Sequence, residues 1–204
     1  SLYGMEPITR GTILLDGRPY RPRNPGHAMA SGVALLTEER KVDGFIPLMS
    51  AYKNVVVSTL DRYRRGGFLD GQSCEQSART TLARIGARGR LHGPIKALSG
   101  GNQQKVLLAR IIEQGADLIL LDEPTKGVDI GARADIYALI RKLAEEGRCV
   151  VVVSSEEEEL ISLSDRIAVF NHGRCERPPV FVQEMSLGRL RQDAWASVTP
   201  KATA

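Results

Sequence analysis

One continuous stretch, residues 98–124, constrains the fold more than any other part of the chain. It begins Leu-Ser-Gly-Gly-Asn-Gln-Gln-Lys, continues with apolar residues at helical spacing, and after Gly115 reaches a four-residue apolar run at 118–121. So short a run is typical of a strand that is buried on both faces, as in parallel sheets. A helix that leads into a buried strand predicts an α/β fold with a largely parallel sheet.

Polar residues lie at the start of the predicted helix and at the end of the predicted strand in this stretch. Ser99 occupies the place of a helix N-cap, and Gly100 and Gly101 leave the first backbone N–H groups open, so this helix start suits an anion. Asp122 and Glu123 directly follow the apolar run, where open parallel sheets bind ligands, and paired acids there suit a hydrated Mg²⁺ and a water to be activated. Either motif alone is more often a solvated loop, but their order and spacing together favour a functional site.

Composition excludes several other classes of protein. The chain has 204 residues, 42% hydrophobic and 25% charged, which fits one globular domain with a sizeable core. A net charge of +4 is compatible with a nucleic-acid or membrane-surface partner, but the basic residues are scattered among 24 acids. Three cysteines without Cys-x-x-Cys spacing favour neither a disulfide framework nor a zinc site. No apolar run approaches the roughly 18 residues of a membrane helix.

In the rest of the chain, predicted strands alternate with predicted helices, which extends the α/β prediction. We expect a hairpin, a short helix, a buried strand and a charged loop before the stretch, at residues 11–21, 25–30, 33–36 and 37–44. Residues 45–97 show helical character and no long strand, which predicts a helical insertion. After the stretch we expect a helix ending at Gly147, a strand at 149–153, an acidic helix from 156 and a last core strand at 166–170. Strands alternating with helices imply parallel crossovers.

The stretch 98–124 closely resembles the signature motif and Walker B segment of the ATP-binding-cassette (ABC) ATPases, and the resemblance covers residues 1–175. It implies that Ser99, Gly100 and Gly101 contact the γ-phosphate of an ATP held mainly by a partner domain. It further implies that Asp122 serves Mg²⁺ and that Glu123 is the general base. The other residues that the resemblance places at the nucleotide are Leu98, Asn102, Gln103, Asp129 as the D-loop acid, and Glu38.

Within that family the chain is most similar to the second, carboxy-terminal half of bacterial sugar-import ATPases of the ribose, galactose and xylose type. Glu38-Glu-Arg-Lys resembles the sequence that such halves carry in place of the usual Gln loop. Ser155 occupies the switch position, where most cassettes have histidine, and is counted with Glu123 as a catalytic residue. Serine is shorter than histidine and cannot carry a charge.

The sequence lacks the glycine-rich phosphate cradle of this class, Gly-x-x-x-x-Gly-Lys-Ser/Thr, since no Gly-Lys dipeptide occurs. The resemblance therefore implies a P-loop NTPase-like cassette with a helical subdomain and a small β region, which is truncated before Ser1 and is inactive alone. We expect an ATPase core at 1–44 and 98–175, a helical signature subdomain at 45–97 and a C-terminal extension at 176–204. Without the strand that leads into the cradle, strand 118–121 is expected to have an unpaired edge.

The resemblance implies an energy-coupling subunit of a bacterial carbohydrate importer that uses ATP and Mg²⁺. Its partners would be the other nucleotide-binding half, the membrane permease and, indirectly, a periplasmic sugar-binding protein, with no nucleic acid expected. It would lie peripherally on the cytoplasmic face of the inner membrane. Two alternatives remain open: a soluble cassette ATPase acting on nucleic acid or ribosomes, and a noncatalytic half that only closes around ATP.

Overall fold

The computed structural model describes residues 1–39, 44–171, 173–175 and 177–195. Residues 40–43 of the predicted charged loop, and Glu176 and residues 196–204 of the predicted extension, lie outside the described residues. The chain divides into two compact units, Ser1–Val151 and Val152–Ala204. None of the described helices is long and apolar enough to cross a membrane.

The first unit begins with the predicted hairpin and short helix. Strand β1 (Leu14–Leu15) pairs antiparallel with β2 (Arg18–Pro19). The turn between them contains Asp16 and Gly17, both with positive φ, at 50° and 73°, which is the turn that an Asp-Gly pair favours in a two-residue hairpin. Helix α1 (Pro25–Ala30) begins at proline and is capped by Asn24, whose side chain accepts a 2.8 Å hydrogen bond from the His27 N–H.

A helical region follows β3 (Val33–Leu36), as predicted. It comprises α2 (Ala51–Val56) and α3 (Gly71–Arg84), which pack against each other and against α4 (Gly100–Gln114). Between α2 and α3 lies a small hairpin, β4 (Arg64–Arg65) and β5 (Phe68–Leu69), which the sequence pattern did not indicate.

Helix α4 leads into β6 (Leu118–Asp122), the strand predicted from the apolar run. β6 pairs parallel with β3, with Val33 opposite Leu118 and Leu36 opposite Leu121. Leu118 and Leu120 join a buried cluster with Val33, Ala28 and Tyr20 on one face of the sheet. Ile119 and Leu121 alternate to the other face and are 1% exposed.

Helix α5 (Ile130–Glu145) connects β6 to strand β7 (Cys149–Val153). Strand β7 completes the main sheet, whose strand order is β3-β6-β7. The prediction that strand 118–121 has an unpaired edge is therefore wrong, because β6 lies between two hydrogen-bonded neighbours. Among the strands of this sheet, the exposed apolar side chains lie on β7, where Val151 is 40% and Val153 is 59% exposed.

The second unit contains α6 (Glu157–Leu163), β8 (Arg166–Ile167), β9 (Val180–Phe181) and α7 (Leu187–Trp195). The predicted core strand at 166–170 is wrong in length and pairing, since β8 has two residues and pairs antiparallel with β9. The physical reason lies in its packing: Ile167 is buried against Met185 and Leu190, whereas Phe170 is 70% exposed.

Candidate nucleotide site

Helix α4 begins with an exposed serine and two glycines, as the sequence predicted. Ser99 is the N-cap residue by backbone geometry, yet its side chain makes no capping hydrogen bond to the first turn. The first backbone N–H groups of α4 are therefore not satisfied by this serine, and they carry the positive end of the helix dipole. This helix start can donate several hydrogen bonds to an anion.

The side chains around Ser99 are held by hydrogen bonds. Asn102 donates from Nδ2 to Ser99 Oγ at 3.0 Å and accepts the Arg88 backbone N–H on Oδ1 at 2.7 Å. Gln103 is 6% exposed and donates to the Leu98 carbonyl at 3.0 Å. Leu98 is itself buried. Leu98 and Gln103, both predicted to bind the cofactor, thus lie under the helix start and support it.

The start of helix α5 lies directly beside the start of α4. A Cβ atom built on Gly101 would come within 2.5 Å of the Ala132 Cβ atom and 3.8 Å of Asp129 Oδ2. Only glycine fits at this close approach. Asp129 caps α5, since its Oδ1 accepts the Ala132 N–H at 2.9 Å. The predicted signature and D-loop residues are therefore neighbours.

Ser99, Gly101, Asn102 and Asp129 line one cleft of about 740 Å³. Four cations line the same cleft, at Arg84, Arg88, Lys105 and Lys142. Lys105 is 8% exposed and forms a 2.7 Å ion pair with Asp135. This pairing lowers the pKa of the Asp135 carboxyl below its usual range. The cleft thus combines open helix N–H groups with positive side chains, which suits a phosphorylated ligand.

The predicted acids meet at a second place, the carboxyl end of β3 and β6. Asp122 is the last residue of β6, and burial raises the pKa of its carboxyl above the ordinary value. The neighbouring carboxylates of Glu38 and Glu123 raise it further, and Lys126 acts in the opposite direction. Lys126 forms an ion pair with Glu38, and this hydrogen bond raises the pKa of the lysine. Negative charge is therefore concentrated around Asp122.

Glu123 has a strained backbone. Its φ is 49°, in the left-handed region that a non-glycine residue seldom adopts. The Lys126 N–H donates to the Glu123 carbonyl at 3.2 Å, which closes the turn after β6. Residues held in such conformations cluster at functional sites. The strain supports a functional role for this carboxylate.

The acidic end of β6 fits the kind of site that Mg²⁺ uses with phosphates. Mg²⁺ usually keeps several waters and takes one or two protein carboxylates together with substrate phosphates. In the described part of the chain, no group of three or more His, Cys, Asp or Glu residues is arranged to hold a metal ion. Asp122 with Glu123 provides a partial set of oxygen ligands. Burial first, and then the neighbouring carboxylates, raise the pKa of Asp122, and a bound cation would offset both effects.

The predicted switch residue, Ser155, lies in the second unit, in the short connection between β7 and α6, and is exposed. The Ser154 hydroxyl beside it accepts the Glu156 N–H at 3.0 Å.

Gly100, the first residue of α4, is half-buried. The roles of all these residues toward a nucleotide remain predictions.

Sequence reasoning missed Lys126 and Arg88. The ion pair of Lys126 joins residues 88 positions apart, and the Arg88 backbone meets Asn102 across 14 positions. A lysine in the turn after the paired acids was visible in the sequence, but nothing local indicated that it contacts Glu38. The backbone N–H of Arg88 carries no sequence signal at all.

Known proteins resemble the chain in both sequence and structure. A family model described as ABC transporter matches residues 1–126. The ribose import ATP-binding protein of Rubrobacter xylanophilus is 42% identical over 175 residues, which cover 85% of this chain and 34% of that protein. The ribose import ATP-binding protein of Burkholderia mallei is 39% identical over 178 residues, which cover 86% of this chain and 35% of that protein. The chain thus spans about a third of the length of these relatives.

A solved structure described as a post-hydrolysis dimer of the ATP-binding cassette MJ0796 bound to ADP and Pi has a TM-score of 0.71 to this chain. The sequence identity is 25%, and the match covers 87% of this chain and 76% of that one. The predicted α/β cassette fold is confirmed. With a family model that matches more than half of its residues, the chain belongs to the ABC transporter family and has the fold of an ATP-binding cassette.

Proposed function

We propose that this chain is part of the second nucleotide-binding half of an energy-coupling subunit in a bacterial carbohydrate importer. One observation carries the proposal: a single compact unit contains an uncapped, cation-lined helix start at Ser99 and a pair of carboxylates at the end of β6. The names of the ribose import relatives support the sugar class. The identity of the sugar would be set by the permease and binding protein.

The helix start would act on an ATP whose phosphates are held mainly by the other half. Ser99 and the N–H groups of Gly100 and Gly101 would donate to its terminal phosphate, and Asp129 would hold the start of α5 against them. Donors that are fixed before the reaction stabilise developing negative charge without reorganising. Closure of the two halves around ATP would thereby complete the site.

At the acidic end of β6, Asp122 would hold Mg²⁺, which supplies charge neutralisation for the phosphates. Glu123 would accept a proton from the attacking water as a general base. Glu38, after the end of β3, would orient a water near the phosphates, with Lys126 as its counter-ion. Ser155 would act at the switch position as a hydrogen-bonding group.

The proposal includes partners and a location. The predicted helical subdomain, 45–97, would dock on the membrane permease, and the core at 1–44 and 98–175 would face the other nucleotide-binding half. The subunit would lie on the cytoplasmic face of the membrane, and a periplasmic sugar-binding protein would act on it only through the permease.

The direct test is ATP hydrolysis and sugar uptake by the full-length protein, reconstituted with its permease. Glu123→Gln should reduce hydrolysis by about 10²-fold or more, because the glutamine amide cannot accept the proton, while ATP binding persists. Glu145→Gln, at the exposed end of α5, is the matched control and should change neither. Full hydrolysis and uptake in the Glu123 variant would contradict the catalytic assignment.

The Glu38–Lys126 ion pair favours one other function, a noncatalytic half that only closes around ATP. A lysine at the acidic end would offset part of the negative charge that a catalytic metal requires. The same two variants, together with Ser99→Arg, separate the two functions. Uptake that survives Glu123→Gln but is lost with Ser99→Arg would select the noncatalytic half.

A further inference from the structure

We propose that Asn102 is a positioning residue that fixes the Ser99 hydroxyl as a hydrogen-bond donor toward the bound nucleotide. The inference rests on the proposed function, since it concerns the same helix start. It follows from the direction of each hydrogen bond around the two side chains.

The Arg88 backbone sets the orientation of the Asn102 amide. A backbone N–H can only donate, so the Asn102 atom 2.7 Å from Arg88 N must be the carbonyl oxygen Oδ1. The other end of the amide, the NH₂ group, is thereby directed to Ser99. The two ends of this side chain cannot be exchanged without bringing two donors together.

The amide then sets the orientation of the Ser99 hydroxyl. Asn102 Nδ2 lies 3.0 Å from Ser99 Oγ and can only donate, so the hydroxyl oxygen must accept. A serine hydroxyl has one hydrogen and two lone pairs. Its own hydrogen is consequently directed away from Asn102, and the side chain makes no capping bond to α4. Ser99 therefore presents a donor to the cleft.

A buried lysine supports the loop that carries Arg88. Lys105, 8% exposed, donates to the Gly86 carbonyl at 3.3 Å and to Asp135 at 2.7 Å. The loop is thus tied to both α4 and α5. A hydroxyl donor beside open backbone N–H groups matches a ligand atom that only accepts, such as a terminal phosphate oxygen of ATP.

The test reverses the hydrogen bond without changing the size of the side chain. In Asn102→Asp, one carboxylate oxygen can still accept the Arg88 N–H, but the other is an acceptor, so Ser99 must turn its hydrogen inward. We expect kcat/KM for ATP hydrolysis by the full-length protein to fall about tenfold or more at pH 8.

A double-mutant cycle separates this effect from direct charge repulsion. In a protein that already carries Ser99→Ala, the same Asn102→Asp change should lower kcat/KM for ATP hydrolysis by about threefold or less, because no hydroxyl remains to be reoriented. Equal costs in the two backgrounds would show that Asn102 does not act through Ser99 and would overturn the inference. If Ser99→Ala itself leaves hydrolysis unchanged, the proposed function of the helix start fails instead.

The pH profile provides a second readout that a structural role would not produce. A protonated aspartate has one donor and one acceptor, as asparagine has, so the activity of Asn102→Asp relative to the natural protein should rise as the pH falls. Arg84, Arg88, Lys105, Lys142, Asp129 and Asp135 face the same cleft, and the natural protein controls for them. Asn102→Leu should give a pH-independent ratio. A pH-independent ratio for Asn102→Asp would contradict the inference.

Discussion

The two helices that meet at the cleft begin in opposite ways. Helix α5 starts at Asp129, whose carboxylate accepts the Ala132 N–H at 2.9 Å. Helix α4 starts at Ser99, a residue of the same capping class, whose side chain accepts no backbone N–H of its own helix. The two starts are adjacent, since Gly101 and Ala132 leave no room for an added methyl group.

The difference shows how one kind of residue serves two purposes. A cap that satisfies its own helix stabilises the fold, whereas a cap that leaves the N–H groups open gives up that stability and leaves donors for a ligand. In this molecule the Ser99 hydroxyl oxygen accepts from the Asn102 side chain, which also accepts the Arg88 backbone N–H. The comparison predicts that substitutions of the two cap residues, Ser99 and Asp129, affect different measurements.

The largest effect on stability is expected from Gly101→Ala. The added methyl group would lie 2.5 Å from the Ala132 Cβ atom, so the two helix starts must separate. Overpacking of this kind costs about 1–3 kcal/mol in the free energy of unfolding. Denaturant unfolding of the full-length protein measures it.

Two variants show whether the contact is the cause. Combining Gly101→Ala with Ala132→Gly should restore part of the loss, because the space is returned. Gly71→Ala is the matched control, since Gly71 begins α3 and an added methyl group there meets nothing within 4 Å. If the denaturant concentration at the midpoint of unfolding is unchanged in Gly101→Ala, the close approach of the two helices is disproved.

Removal of the α5 cap should have a smaller effect. Asp129→Ala leaves the Ala132 N–H without its side-chain acceptor and should lower the free energy of unfolding by about 0.5–2 kcal/mol. Asp129→Asn keeps an oxygen at the same place and should retain most of the stability. Equal losses in the alanine and asparagine variants would show that capping is not the role of Asp129.

The smallest expected effect is a pH dependence of stability that arises from Asp135, which also lines the cleft. Asp135 has its pKa lowered from 3.8 by the hydrogen bond and charge of Lys105. The native state therefore binds this proton less readily than the unfolded state, so the stabilisation is present above the ordinary carboxyl pKa and is lost as the pH falls through the lowered value. Asp135 is 62% exposed, which keeps the effect small.

Thermal unfolding from pH 3 to pH 7 checks this prediction. The difference in melting temperature between the natural protein and Asp135→Asn should be constant near neutral pH and should shrink below about pH 4. A difference that grows toward acid pH would contradict the sign of the pKa change.

The sequence predicted the strands and turns that depend on a few adjacent residues. The apolar runs at 33–36 and 118–121 form the parallel pair, and Asp16-Gly17 forms the hairpin turn, because burial and backbone freedom are properties of a few adjacent residues. The hairpin β4–β5 escaped prediction because two-residue strands are too short to show alternation. The strand predicted at 166–170 was wrong because an apolar run does not specify its partner.

In the candidate site, too, the residues that belong to local motifs were predictable, and the contacts between distant parts of the chain were not. Ser99, Gly101, Asp122 and Asp129 carry motif signals, and their positions at helix starts or at a strand end follow from local structure. The ion pair of Lys126 with Glu38 depends on the parallel alignment of two strands that are distant in the chain. Such contacts are fixed only by the completed fold.

The most direct test of the central claim is one variant, Ser99→Ala, in the full-length protein, assayed for both ATP hydrolysis and thermal unfolding without nucleotide. If the serine is reserved for the nucleotide, hydrolysis should fall about tenfold or more while the melting temperature stays within error of the natural protein's. A melting temperature lowered as expected for a lost helix cap, with hydrolysis unchanged, would contradict the account.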